Sequence, residues 1–332
     1  MSLAAAGATR RPRASLLLCT LALVAAASML TGLAYGSFPV RWIDVFDTIG
    51  GNVPGVVHDV IWNLRAPRVL AAFACGGLLA LAGALLQVLL RNPLADPFVL
   101  GVSSGASLAA LAALAFGASA VASTSAAFVG AVVAVTLIFL LAYRARDPDM
   151  YRVLLTGVVL SAGLSALISL TLALAPQGQL KGMLFWLMGD LTQAGSPAIS
   201  MTLLAVLVLA GVVLGSRLDI LAIGDARARS LGLDVPRLQL VTLLCASAAT
   251  VAAVVEGGAI GFVGLMIPHA LRLCGVTGNR LLVPASALLG GSFLVVADTV
   301  ARSAWAPQQL PVGIFTAILG VPAMLWLIGR SR

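Results

Sequence analysis

Apolar runs of about twenty residues recur along the whole chain, separated by short polar breaks. Runs of that length suit helices that cross a bilayer, because a helix satisfies its own backbone polar groups there. Spanning β-strands would show short segments of alternating polarity, and the sequence has none. The pattern predicts an all-α polytopic membrane protein, a single transmembrane domain over residues 1–332 with about ten spans. These fall at roughly 15–35, 66–90, 98–116, 123–143, 152–174, 197–215, 238–256, 259–273, 281–301 and 312–328. The stretch GASAVASTSA, just after Phe116, is too small and polar to continue a span and reads as a turn. Only Gly257 and Gly258 part the seventh span from the eighth, which predicts a tight turn there. Two breaks are long. Gly36–Leu64 sets Trp42, Phe46 and Trp62 among charges, and Pro176–Pro197 holds Lys181, Phe185 and Trp186; both suit interfacial helices.

Composition points the same way. The chain is 61% hydrophobic and 10% charged, whereas a soluble globule carries about 25% charged residues. The net charge of +8 does not indicate nucleic acid, because the arginines are scattered between apolar runs. Cys19, Cys75, Cys245 and Cys274 lie in or beside apolar stretches without CxxC spacing, so free thiols are expected and no metal site. The opening RRPRASLLLCTLALVAAASML has the outline of a signal peptide. Its apolar run continues to about Ala34 without a small-x-small cleavage site, so it is read as the first span. Ten spans put both termini on one side. With that side cytoplasmic, inner segments hold fifteen arginines and outer segments five basic residues, as the positive-inside rule asks.

That orientation places Asp219–Arg237, the longest polar interruption of the second half, in the cytoplasm. Asp225 precedes Arg227 and Arg229, as a helix dipole favours. Ile223, Arg227 and Leu231 fall four apart, Gly232 suits a C-terminal cap and Pro236 a stop. The stretch predicts a short helix over about 221–234, offered to another protein; a solvated loop is the alternative.

The chain has no fuel site. A phosphate-cradling loop needs a lysine, and the single lysine, Lys181, is on the outer side. Intramembrane carboxylates are few. Glu256 lies at the outer end of span seven, and Asp298 is placed for an i,i+4 pair with Arg302. Energy is therefore expected from a cytoplasmic partner. An ion-coupled secondary transporter using Glu256 or Asp298 is the rival reading. Gly157, Ser161, Ser165 and Ser169 form a small ridge on span five, suited to helix packing or to lining a pathway. One internal echo pairs Cys75–Arg91 with Glu256–Arg272. It matches Gly83 with Gly264, and chance in a Gly- and Leu-rich chain accounts for it as well as a repeat does.

Several motifs resemble the FecCD/BtuC-type permeases, the membrane subunits of ABC importers for ferric siderophores, haem and cobalamin. They are LRAPRVLAAFACGGLLALAGALLQ (Leu64–Gln87), RNPLADPFVLGVSSGA (Arg91–Ala106), FWLMGDL (Phe185–Leu191), LAIGDARARSLGL (Leu221–Leu233) and GAIGFVGLMIPHALRLCG (Gly258–Gly275). LVVADTVAR (Leu294–Arg302) and LPVGIFTAILGVPAMLWLI (Leu310–Ile328) complete a likeness that runs nearly the full length in one order. The resemblance implies a type II ABC importer permease architecture in the bacterial inner membrane, with both termini cytoplasmic. It implies a homodimer around the pathway, two cytoplasmic ATPase subunits, an external substrate-binding protein and no cofactor.

By the same resemblance, Ile223, Asp225, Arg227, Arg229, Leu231 and Gly232 form the coupling helix for the ATPase. Arg65, Arg68 and Arg302 would engage acidic residues of the binding protein; guanidinium forks suit carboxylates, and snorkelling to the interface is the plainer reading. RNPLADP places Asn92 and Leu94 at the inner gate, with Met150 and Tyr151 beside them. Spans five and ten would line the pathway through Gly157, Ser161, Ser165, Ser169, Gly313 and Thr316. The sequence departs from relatives at Met150 and Tyr151, which are bulky, and at Gln309, where relatives often have Glu. His269, beside Pro268, is expected to hydrogen-bond a freed backbone carbonyl rather than to bind haem.

Overall fold

The computed structural model describes residues 10–50, 55–143, 150–192 and 197–330. Among these every regular element is helical: α1 (Arg10–Ala34), α2 (Trp42–Ile49), α3 (Val56–Leu89), α4 (Val102–Ala115), α5 (Ala120–Tyr143), α6 (Met150–Leu174) and α7 (Gln177–Leu187). Then follow α8 (Pro197–Ala222), α9 (Asp225–Ser230), α10 (Val235–Gly257), α11 (Val263–Leu273), α12 (Asn279–Ser303) and α13 (Val312–Arg330). Seven of them are long and apolar enough to cross a membrane, and α4, α11 and α13 are shorter apolar helices. These ten correspond one for one to the ten expected spans.

The bundle is built around α3. Of its most apolar window 94% is buried, against 11% for α6 and 22% for α1, so α3 is the hub and those two lie outside. Helices α8, α10, α11 and α12 surround it. Apolar side chains gain nothing by leaving lipid for one another, so close backbone approach through small residues holds such helices. Gly83 of α3 meets Gly264 of α11 so closely that a Cβ on Gly83 would stand 1.8 Å from the Gly264 carbonyl oxygen. Gly76 and Gly290 join α3 to α12 in the same way. The two glycines matched by the internal echo are thus each other's packing partners.

Polar side chains fix the ends. Asp219 Oδ1 accepts from the Asn279 backbone N–H at 2.8 Å and from its side-chain amide at 2.7 Å, capping α12 from α8. The backbone of α3 winds wider over Val60–Arg65, just ahead of Pro67, whose missing N–H cannot serve a regular turn.

Four boundaries differ from expectation. Helix α8 runs on to Ala222, because Arg217 and Asp219 continue it past the apolar run. The turn between spans seven and eight covers 258–262, with Gly258 and Phe262 at positive φ, so α11 starts at Val263. The turn after α4 is only 116–119, where the Ser119 hydroxyl accepts from the Ala122 N–H and starts α5. Pro236 does not stop a helix; it opens α10, with Asp234 as N-cap accepting from the Arg237 N–H.

Candidate functional site

Two polar clusters stand at opposite ends of the bundle. At one end lies α9. It has six residues, fewer than expected, because Gly224 at φ +120 breaks the chain before Asp225. Ile223 is therefore outside the helix, and its four-residue spacing to Arg227 is not a helical one. The other end closes as expected: Gly232 at φ +81 lets the Leu233 N–H reach the Ala228 carbonyl and its own N–H reach that of Arg229. Ala228 is the buried anchor, a residue the spacing argument passed over. Around it Ile223, Arg227, Arg229 and Leu231 are exposed, Ile223 by 53% and Leu231 by 64%. Two large aliphatic side chains standing free beside two guanidiniums make a surface suited to another protein.

Asp225 faces the other way. Its Oδ1 accepts from Arg91 Nη2 at 2.9 Å and its Oδ2 from Gln239 Nε2 at 3.3 Å. Arg91 opens the RNPLADP loop at φ +49, so an ion pair ties α9 to that loop. Arg91 and Gln239 were not among the expected site residues. No spacing rule links them to Asp225, since 134 residues separate Arg91 from it. The loop itself is irregular, as its two prolines require. The Asn92 side chain accepts from the Leu94 N–H at 2.9 Å, and both residues are exposed. Burial pushes the Asp96 carboxyl up, and the hydrogen bond it accepts from the Phe98 N–H opposes that. Met150 and Tyr151 begin α6, and their side chains lie outside the described residues.

The opposite end holds the arginines. Arg68 grips Asp298 through Nε at 3.0 and 3.1 Å and Nη2 at 2.8 Å, and its Nη1 donates to Gln309 Oε1 at 2.6 Å. Asp298 is 1% exposed, and Arg302 Nε stands 3.7 Å from it. The expected Asp298–Arg302 pair is thus the lesser contact, because Arg68 presents a fork and Arg302 one edge. Arg302 Nη2 donates to the Gly32 carbonyl. Arg65 donates to the carbonyls of Leu33 at 2.7 Å, Ala34 at 2.8 Å and Phe38. Arg65 and Arg302 are each 4% exposed, so the trio is not presented together on the surface. Those two supply donors to the open carbonyl end of α1.

The small residues also divide. Ser161 donates to the Gly157 carbonyl, and both pack against Gly101, whereas Ser165 and Ser169 are exposed on α6. Gly313 packs against the Met188 carbonyl, and Thr316 is fully buried with its hydroxyl on the Gly313 carbonyl. Thr316 thus faces into the subunit, away from any open wall. His269 is buried, and among the described residues neither ring nitrogen has a hydrogen-bond partner, so the expected bond to a carbonyl is not made.

The FecCD transport family model matches residues 21–330. The chain belongs to the FecCD transport family. The cobalamin import system permease protein BtuC of Halobacterium salinarum is 39% identical over 284 residues, covering 85% of this chain and 76% of that one. The vitamin B12 import system permease protein BtuC of Vibrio cholerae is 41% identical over 279 residues, covering 83% and 84%. Among solved structures, one described as a metal-chelate type ABC transporter in an inward-facing conformation superposes with a TM-score of 0.82. It is 27% identical, over 96% of this chain and 99% of that one. The chain is therefore a multi-pass membrane permease of the ABC-importer type, as its motifs implied.

Proposed function

We propose that this FecCD-family chain forms one half of a homodimeric pathway for a bulky metal chelate, with a cobalamin-class corrinoid as cargo. Two ATPase subunits bind at the α9 end and a substrate-binding protein at the arginine end. The α9 end faces the cytoplasm, as do both termini, and the bundle sits in the cytoplasmic membrane. Ferric siderophores and haem are the other members of the cargo class. The names of relatives at 39% and 41% identity favour cobalamin.

The observation that carries the reading is α9. It is anchored by buried Ala228, presents exposed Ile223, Arg227, Arg229 and Leu231, and is tied through Asp225 to the RNPLADP loop. A short rigid helix seated in a groove transmits a rigid-body movement, and here its ion pair leads to the loop carrying Asn92 and Leu94. At the other end Gln309 is the exposed part of the cluster and, with the mostly buried Arg68 bonded to it, leads docking, supported from below by Arg65 and Arg302. The exposed apolar faces of α6 and α13, with Leu155, Val159, Ile318 and Leu325, suit a second copy and lipid. Ion coupling through Asp298 is disfavoured, because Arg68 already holds that carboxylate.

The test is reconstitution in vesicles with a matched ATPase and binding protein. Labelled cobalamin uptake should require ATP, and Arg227→Glu or Leu231→Asp should lower it at least tenfold while membrane insertion is kept. Uptake by this chain alone without ATP would overturn the reading.

A further inference from the structure

A cleft of about 520 Å³ opens between α5, α8 and α10, away from both polar clusters. It falls in the range of about 300–1,000 Å³ typical of ligand sites. Its floor is one stripe of α10. Leu244, Ala248, Ala252 and Glu256 fall four apart, and the two alanines hollow the stripe between a leucine and a carboxylate. Phe128 and Val132 of α5 form one wall and Leu203 of α8 lines the other side. From Glu256 to Leu244 the helix descends about 18 Å at 1.5 Å per residue. Half of a hydrocarbon core is about 15 Å. The cleft therefore has the depth of one leaflet, with its polar head at the arginine end of the bundle.

That head is charged and incompletely satisfied. The Ser200 hydroxyl donates to Glu256 Oε2 at 2.6 Å, while Oε1 is buried with no partner among the described residues. A buried acceptor without a donor is costly. Glu256 also lines a second chamber of about 380 Å³, which holds Lys181 and Asp190. Lys181 makes no ion pair among the described residues, and its ammonium stands 5.6 Å over the Phe185 ring. One carboxylate oxygen lacking a donor, one cation with no ion pair among the described residues and an apolar slot beneath them complement a zwitterionic head on an acyl chain.

We propose that this cleft binds a phosphatidylethanolamine of the leaflet at the arginine end. The primary ammonium donates to Glu256, the phosphate meets Lys181, and one acyl chain lies along Ala252 and Ala248. The cleft and the chamber share no residue with α6 or α13, and the proposal stands whatever the permease carries.

Native mass spectrometry of the delipidated, detergent-solubilised protein tests it. The protein is offered equal amounts of phosphatidylethanolamine, phosphatidylglycerol and phosphatidylcholine. Wild type should retain phosphatidylethanolamine at least tenfold over the other two. Glu256→Gln should remove that preference, Lys181→Gln should weaken retention several-fold, and Ala252→Trp should abolish retention of any lipid by filling the slot. Circular dichroism and a monodisperse elution profile establish that each variant is folded. If the tryptophan variant fails to fold, the two polar variants still decide. Equal retention of the three lipids by wild type, or unchanged preference in Glu256→Gln, would overturn the proposal as adventitious binding.

Discussion

Replacing Asp298 by Asn tests whether the arginine end is a structural knot. The carboxylate is 1% exposed and receives three contacts of 2.8 to 3.1 Å from Arg68, with Arg302 at 3.7 Å. Asparagine keeps the shape but removes the one anion, among the described residues, that pairs with the two guanidiniums. Breaking a buried pair from one side costs about 3–5 kcal/mol, because the remaining charge is left uncompensated. Asp298→Asn should lose stability of that order in an SDS titration of the protein in mixed micelles. Arg68→Gln should cost less, about 1–3 kcal/mol, since Asp298 retains Arg302. Removing both charges with Arg68→Met and Asp298→Leu should restore only part of the loss, because Arg302 is left buried without that anion. Asp298→Asn with unchanged stability and abolished transport would refute this reasoning and would fit a proton-carrying carboxylate instead.

Two further perturbations follow from the packing and from the second ion pair. Gly83→Ala should destabilise by about 1–3 kcal/mol or more, because the new methyl meets the Gly264 carbonyl. Gly163→Ala, where a Cβ has open space, should be neutral or slightly stabilising in the same titration. Arg91→Glu should uncouple ATP hydrolysis from uptake several-fold with little change in stability, since exposed pairs contribute about 0–1 kcal/mol. The swap Arg91→Glu with Asp225→Arg should recover coupling; equal coupling in wild type and Arg91→Glu would exclude the pair from that role.

The ten apolar helices were legible because each is a continuous apolar run, seven of them of membrane length, a property of contiguous residues. What escaped depended on contacts across the chain. Arg217 and Asp219 looked like the end of a span, yet α8 carries them onward so that Asp219 can cap α12. The spacing of Ile223, Arg227 and Leu231 implied one helical face, and Gly224 breaks it. The motif grouped Arg65, Arg68 and Arg302, which the fold does bring to one end of the bundle, but no pattern could say where a guanidinium points. Their partners are the carbonyls of α1 and a carboxylate 230 residues away. The echo between Gly83 and Gly264 had the opposite fate: weak as a repeat, it marked a contact.

The carbonyl end of α1 takes its donors from Arg65 and Arg302, one early in the chain and the other 270 residues beyond Gly32. During synthesis, then, α1 is made before one of the donors for its far end exists. Arg68 likewise waits for the carboxylate of α12. A nascent chain halted before Asn279 holds the Arg68 guanidinium without Asp298 and the Gly32 carbonyl without Arg302, two unsatisfied groups that set it apart from the completed protein.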